Sequence, residues 1–106
     1  MHRVCFALKV KPGELDRYRA HHEAVWPEMC EALTRTGWHN YSLFLRHDGM
    51  LIGYFETPGT FEDALAAMGS EPVNERWQEL MAPFFEGDGD HADTMMTQLD
   101  EIFHLP

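Results

Sequence analysis

Two adjacent segments in the middle of the chain alternate with a period of two, and this pattern limits the possible folds more than any other feature. One segment comprises residues 40–45 and the other residues 50–56, with His47-Asp48-Gly49 between them. Asp-Gly at this spacing is typical of a tight hairpin turn, and the period of two places successive side chains on opposite strand faces. The sequence therefore predicts two neighbouring antiparallel strands, whose faces carry Tyr41, Leu43 and Leu45 on one side and Asn40, Ser42 and Phe44 on the other.

The first third of the chain predicts a strand and then a long helical segment. Residues 3–10 alternate like the hairpin strands, and apolar residues then recur at helical spacing from residue 14 to residue 36. Pro27 lies inside the helical segment, where it lacks a backbone N–H and disfavours helical geometry in Trp26. We therefore expect a kink or a junction between two helices at Trp26, which would open space beside His22.

The second half of the chain predicts a split helical region and a last strand. We expect one helix from Phe61 to Met68 and a second one, after Gly69-Ser70-Glu71-Pro72, that carries Val73, Trp77, Leu80 and Met81. Residues 87–90, Gly-Asp-Gly-Asp, predict a flexible acidic loop. The apolar residues between Met96 and Phe103 predict a returning strand.

The predicted elements follow the order strand, helix, strand, strand, helix, strand within a single domain of 106 residues. This order is the split βαβ arrangement of a ferredoxin-like α+β fold, in which helices cover one face of the sheet. The strands carry apolar or aromatic side chains on both faces, as shown by Phe44, Leu45, Tyr54 and Phe55. Because an uncovered apolar sheet face needs a partner, we expect a homodimer.

Charge and cysteine content exclude several classes of protein. Eight basic residues against 18 acidic residues give a formal charge of −10, which repels phosphate backbones and anionic lipid headgroups. Neither nucleic acid nor a membrane is therefore an expected partner. Cys5 and Cys30 form no CxxC pair or disulfide framework, and we expect two buried, reduced thiols. The N-terminus lacks a secretory pattern, so we expect a soluble cytoplasmic protein.

One titratable ring lies between two aromatic residues in the first helical segment. Tyr18, His22 and Trp26 recur every four residues and would share one helix face. An imidazole titrates near neutral pH and suits general acid–base work in an aromatic pocket for a small uncharged ligand. Tyr41 and Trp77 would complete such a pocket through a phenol and an indole face. The alternatives are a structural or exposed histidine, and core packing for Tyr41 and Trp77.

The seven histidines do not predict a metal site. In His22-Glu23-Ala24-Val25-Trp26 a tryptophan stands where a zinc-protease HExxH motif needs its second ligand. His21 is rotated by roughly 100° from His22 on a helix, so we expect it to face solvent. Four others, His39, His47, His91 and His104, are scattered over strand, turn, loop and tail. We expect no metal and, with no nucleotide motif present, no cofactor.

Several short motifs resemble the L-rhamnose mutarotase family in order and spacing along nearly the whole chain. They are Tyr18-Arg19-Ala20-His21-His22, Val25-Trp26-Pro27-Glu28, His39-Asn40-Tyr41-Ser42, Glu75-Arg76-Trp77 and Phe103-His104-Leu105-Pro106. The family has a small dimeric α+β barrel, which agrees with the element order predicted above. The resemblance implies an isomerase that interconverts the α and β anomers of L-rhamnopyranose by acid–base assisted ring opening and closure.

The resemblance also implies roles for single residues. His22 matches the family's proton donor, which must take the proton back on ring closure, while Tyr18, Tyr41 and Trp77 match residues that contact the sugar. Gln78 stands where better-known members often have a second tryptophan, so an amide would replace one apolar wall, and Trp26 is a further wall candidate. The alternatives are a mutarotase for another 6-deoxy sugar such as L-fucose, a dimeric α+β-barrel oxygenase and a non-catalytic sugar-binding module.

Overall fold

The structure of the protein is a computed structural model that describes residues 1–86 and 95–106. Four strands of the described chain form one antiparallel sheet: β1 (His2–Lys9), β2 (His39–Leu45), β3 (Met50–Thr57) and β4 (Thr97–Leu99). The described α-helices are α1 (Leu15–His22), α2 (Pro27–Arg35), α3 (Phe61–Gly69) and α4 (Pro72–Met81). The strand order in the sheet is β2-β3-β1-β4. The ferredoxin-like α+β prediction is therefore confirmed, with each predicted helical region divided into two helices.

The register of the sheet separates two faces. On one face Leu43 pairs with Gly53, and Gly53 pairs with Phe6. Helices pack on this face, where the Phe6 ring stacks on Phe61 of α3 at 5.8 Å between ring centroids. We call the other side the open face; its two cross-strand rows are Phe44, Ile52, Ala7 and Thr97, and Ser42, Tyr54, Cys5 and Leu99. Phe44 is 63% exposed and Leu99 41% exposed on this face.

An aromatic cluster fills the space between the sheet and the helices. Phe6 and Phe55 are completely buried, and Trp38 stacks on Phe55 with 4.0 Å between ring centroids. The Phe6 ring also explains a glycine in the middle of β3: a Cβ atom at Gly53 would lie 2.2 Å from Phe6 Cζ. The missing side chain of Gly53 thus leaves room for the buried ring of Phe6.

The junction predicted at Trp26 is present. Helix α1 ends at His22, and α2 begins at Pro27 with Trp26 in an extended conformation as its N-cap residue (φ −55°, ψ 134°). Proline is well suited to the first position of a helix, where its missing N–H would have no partner in the helix. The break between α1 and α2 places His22 at the end of a helix rather than in the middle of one.

The structure differs from the predictions for the last strand and for the two cysteines. The last strand is limited to Thr97–Leu99, and the tail beyond it leaves Ile102 94% and Phe103 77% exposed. Cys30 is exposed and Cys5 half-buried, so the prediction of two buried thiols is wrong. The predicted acidic loop at residues 87–90 lies outside the described residues. No helix of the described chain is long and apolar enough to cross a membrane.

Candidate active site

A cavity of about 220 Å³ lies between the covered sheet face and the helices. Its wall is largely apolar, with contributions from Phe6, Leu8, Met29, Trp38, Leu51 and Met81. The polar residues of the lining include Tyr18, His22, Tyr41, Asn74 and Gln78. Pockets for drug-sized ligands have volumes of roughly 300–1,000 Å³, so this cavity suits a smaller molecule that carries both apolar and hydrogen-bonding groups.

His22 is fixed at the cavity by its ring contacts and by one hydrogen bond. The ring lies 4.3 Å from the Tyr18 ring and meets Trp77 edge-on at 5.5 Å, measured between centroids. Nδ1 of His22 lies 3.0 Å from the backbone carbonyl oxygen of Tyr18. Because a carbonyl oxygen can only accept, Nδ1 must carry the hydrogen. In the neutral ring Nε2 is then the basic nitrogen.

The surroundings of His22 favour this neutral form. Burial lowers the pKa of His22 below its ordinary value of 6.5, against the opposing effect of the hydrogen bond to the Tyr18 carbonyl. The nearby His21 lowers the pKa further. At neutral pH the ring is therefore mainly uncharged, and Nε2 is ready to accept a proton before it donates one.

Tyr18 supports His22 and presents a phenol that remains protonated. Its side chain is buried and packs edge-on against Phe85 at 5.5 Å between centroids. Burial raises the pKa of the Tyr18 phenol well above its usual value. Tyr18 can therefore donate or accept a hydrogen bond without ionising, which suits a residue that holds a hydroxyl group.

The structure brings the remaining predicted site residues to the same region. Tyr41 of β2 is half-buried, and its ring lies 5.2 Å from Trp38, a wall residue that the sequence analysis did not select. Trp77 of α4 is 6% exposed. Trp26 lies against Trp77 with 5.0 Å between centroids. Trp26 therefore supports the wall that Trp77 forms.

Helix α4 adds two amide side chains, one of which the sequence analysis missed. Asn74 and Gln78 are both buried, and Gln78 Nε2 donates a hydrogen bond to Asn74 Oδ1 at 3.1 Å. The two residues share the buried face of α4 with Trp77. The signal that could have identified Asn74 is a pair of amides one helical turn apart on an otherwise apolar helix face. Polar side chains are rarely buried, and those that are buried are hydrogen-bonded.

The other histidines that the structure describes do not join this group. The ring of His21 packs on Phe84 at 5.4 Å between centroids and is half-buried, so His21 faces solvent less than the sequence predicted. His39 lies in β2, His47 in the hairpin turn and His104 in the tail. Within residues 1–86 and 95–106, no three His, Cys, Asp or Glu side chains come together as metal ligands would.

Comparison with known proteins identifies the family. A sequence profile of the L-rhamnose mutarotase family matches residues 3–105. Proteins named L-rhamnose mutarotase from Oceanobacillus iheyensis and Bacillus subtilis are 34% and 33% identical to this chain over 106 residues, which is 99% of this chain and of each relative.

Two solved structures share the fold along the full length of this chain. A crystal structure of an L-rhamnose mutarotase from Formosa agariphila superposes with a TM-score of 0.79 at 21% identity, covering 100% of both chains. Tetracenomycin F2 cyclase from Streptomyces glaucescens, a type II polyketide cyclase, superposes with a TM-score of 0.63 at 16% identity and the same coverage. The fold thus carries more than one activity, and it is the sequence match that assigns the family. By that match, over nearly its whole length, the chain belongs to the L-rhamnose mutarotase family.

Proposed function

We propose that this chain is a cytoplasmic isomerase that interconverts the α and β anomers of L-rhamnopyranose. Within the site, the proposal rests on the position and the protonation state of His22. A neutral imidazole with a fixed tautomer lines a small aromatic cavity, where it can exchange a proton with a bound sugar. The full-length relatives are named for the same reaction, which supports the choice of L-rhamnose as the sugar.

The reaction requires one proton to move between two oxygens of the sugar. Ring opening breaks the bond between C1 and O5 while O1 loses a proton and O5 gains one. Because both oxygens are bonded to C1, a single nitrogen can serve both. His22 Nε2 accepts the proton of the O1 hydroxyl and, as an imidazolium, donates it to O5. Rotation about the C1–C2 bond and the reverse transfer then give the other anomer, with no net change in protons.

The remaining site residues hold the sugar during this exchange. Tyr18 and Tyr41 supply phenols for hydroxyl groups, and the indole of Trp77 covers an apolar C–H face of the ring. General acid–base assistance of this kind accelerates a reaction by about 10²- to 10⁴-fold. Such a factor matters for mutarotation, because the spontaneous reaction already takes place in water.

Exchange NMR on the anomeric protons of L-rhamnose tests the proposal directly. We expect catalytic amounts of the protein to transfer saturation between the two anomeric signals at a pH where spontaneous exchange is slow. Acceleration of L-fucose but not of L-rhamnose would assign another 6-deoxy sugar. Sugar binding without acceleration of either exchange would contradict the enzymatic function and indicate a binding module.

We further propose that the open face pairs two copies of this chain. Phe44 and Leu99 expose apolar surface there, beside the half-buried Ile52 and Tyr54. An apolar sheet face of this extent is typical of an interface.

Light scattering tests this pairing. The wild-type protein should have twice the mass of one chain, and Phe44→Glu should have the mass of one chain. Ala66→Glu, a change on the exposed side of α3, is the matched control and should remain dimeric. A monomeric wild-type protein would contradict the proposal.

A further inference from the structure

The buried face of α4 presents an amide pair to the cavity. Asn74 is 3% exposed and Gln78 is 5% exposed, and both line the cavity beside Trp77. One helical turn separates the two residues, so their side chains lie on the same side of α4. Amides in an otherwise apolar wall are the kind of group that fixes the orientation of a ligand and selects between similar ligands.

The hydrogen bonds of this pair leave one atom unsatisfied. Gln78 Nε2 donates to Asn74 Oδ1 at 3.1 Å, and this bond fixes the direction of the Gln78 amide. Gln78 Oε1 is buried and has no hydrogen-bond partner in the part of the chain that the structure describes. Buried carbonyl oxygens nearly always have a partner, because desolvation without one costs free energy. The position of Gln78 in the cavity lining indicates that a bound molecule supplies the donor.

We propose that Gln78 Oε1 accepts a hydrogen bond from one hydroxyl group of the bound sugar and thereby determines which sugars the site accepts. Asn74 is a positioning residue that holds the amide with its oxygen toward the cavity. This inference rests on the proposed function. An amide oxygen accepts but does not donate, so the recognised group must carry a hydrogen. A sugar with a fluorine or a hydrogen at that carbon leaves the oxygen unpaired.

The test compares the wild-type protein with Gln78→Met across a panel of sugars. The panel contains L-rhamnose, its 2-, 3- and 4-deoxy and deoxyfluoro derivatives, and L-mannose, which adds a hydroxyl group at C6. Both the affinity, from NMR titration, and the rate of anomer exchange are measured for each sugar. We expect the wild-type protein to prefer one hydroxyl-bearing sugar over its deoxy and fluoro counterparts by about 10- to 100-fold in kcat/KM, mainly through KM.

Gln78→Met should remove the preference for this one hydroxyl group and leave the preferences at the other sugar positions unchanged. Gln78→Met has a similar volume and suits a buried position, and Asn74→Leu provides a second test at a different residue if this variant unfolds. Asn74→Leu should weaken the same preference for the same hydroxyl, which a loss of stability alone would not do. Gln98→Met is the matched control, since it makes the same change at an exposed glutamine of β4.

The outcomes separate this inference from the proposed function. If no sugar of the panel shows a preference that Gln78→Met removes, the inference is overturned, and the oxygen of Gln78 is satisfied by water in the cavity. If the wild-type protein binds one hydroxyl-bearing sugar more tightly than its deoxy and fluoro counterparts, Gln78→Met loses this difference in affinity, and the wild-type protein does not accelerate exchange, the proposed function fails while the inference is upheld.

Discussion

His22→Ala should reduce catalysed anomer exchange of L-rhamnose to the level without enzyme, a loss of about 10²- to 10⁴-fold in kcat. The reason is that Nε2 of His22 is the basic nitrogen of the ring once Nδ1 is bonded to the Tyr18 carbonyl. Tyr18 cannot replace it as a base, because burial raises the pKa of its phenol well above the physiological range. Saturation transfer between the anomeric signals, at several sugar concentrations, measures kcat and KM separately.

His21→Ala is the matched control for this change. It removes the same side chain from the preceding position, where the ring packs on Phe84 instead of lining the cavity. We expect this variant to retain most of the exchange rate. A His22→Ala protein that keeps its kcat and shows only a higher KM would contradict the proton-transfer role and leave His22 as a binding residue.

The pH dependence of anomer exchange is a second test of the role of His22. Burial lowers the pKa of His22 below 6.5, so the neutral, proton-accepting ring persists at pH values where an exposed histidine is already charged. The kcat/KM of the wild-type protein should be constant near pH 7 and fall only as the pH drops through this lowered pKa. An acidic limb at or above pH 6.5 would contradict the assignment.

Local signals predicted the part of the fold that depends on neighbouring residues. The hairpin follows from the period of two and from Gly49, whose φ of +96° is a conformation that glycine adopts readily. The helix junction follows from Pro27, whose effect on Trp26 is a steric contact between adjacent residues. In both cases the cause lies within a few positions of its effect.

Features that depend on distant residues were not predictable in the same way. Strand β4 ends at Leu99, where Asp100 and Glu101 follow, and Glu101 then reaches Arg3 through its side chain at 2.7 Å. A prediction from apolar content alone therefore overestimated the length of the strand. Cys30 lies in an amphipathic helix but next to buried Met29, and the turn of roughly 100° between successive residues moves it to the exposed side.

In the candidate site, too, contacts between neighbouring residues were predictable and contacts between distant residues were not. The spacing of Tyr18 and His22 predicted two rings on one helix face, and those rings are in contact. Trp26 was placed on the same face, but α1 ends before it, and only the tertiary structure shows that it supports Trp77. The hydrogen bond between Gln78 and Asn74 is local in sequence, whereas the cavity that gives it its proposed role is built from the sheet and all four α-helices.

Trp77→Ala should destabilise the folded protein by about 3–5 kcal/mol, the range for removing a buried aromatic side chain. Trp77 is 6% exposed and contacts two rings edge-on, His22 at the end of α1 and Trp26 at the junction to α2. Its removal leaves a void where three segments meet, in addition to the lost burial of the indole. Urea unfolding followed by circular dichroism, at a fixed protein concentration, measures the change in the free energy of unfolding.

Trp77→Phe separates this structural role from the proposed contact with the sugar. A phenylalanine keeps an aromatic edge between His22 and Trp26, so we expect a smaller loss of stability than for the alanine variant. The narrower ring covers less of the sugar, and KM should rise while kcat changes little, because His22 keeps its hydrogen bond to Tyr18. Glu79→Ala, on the exposed side of α4, should change the free energy of unfolding by less than about 0.5 kcal/mol. A Trp77→Ala protein as stable as this control would show that Trp77 serves the ligand alone and that other contacts hold α1 and α4 together.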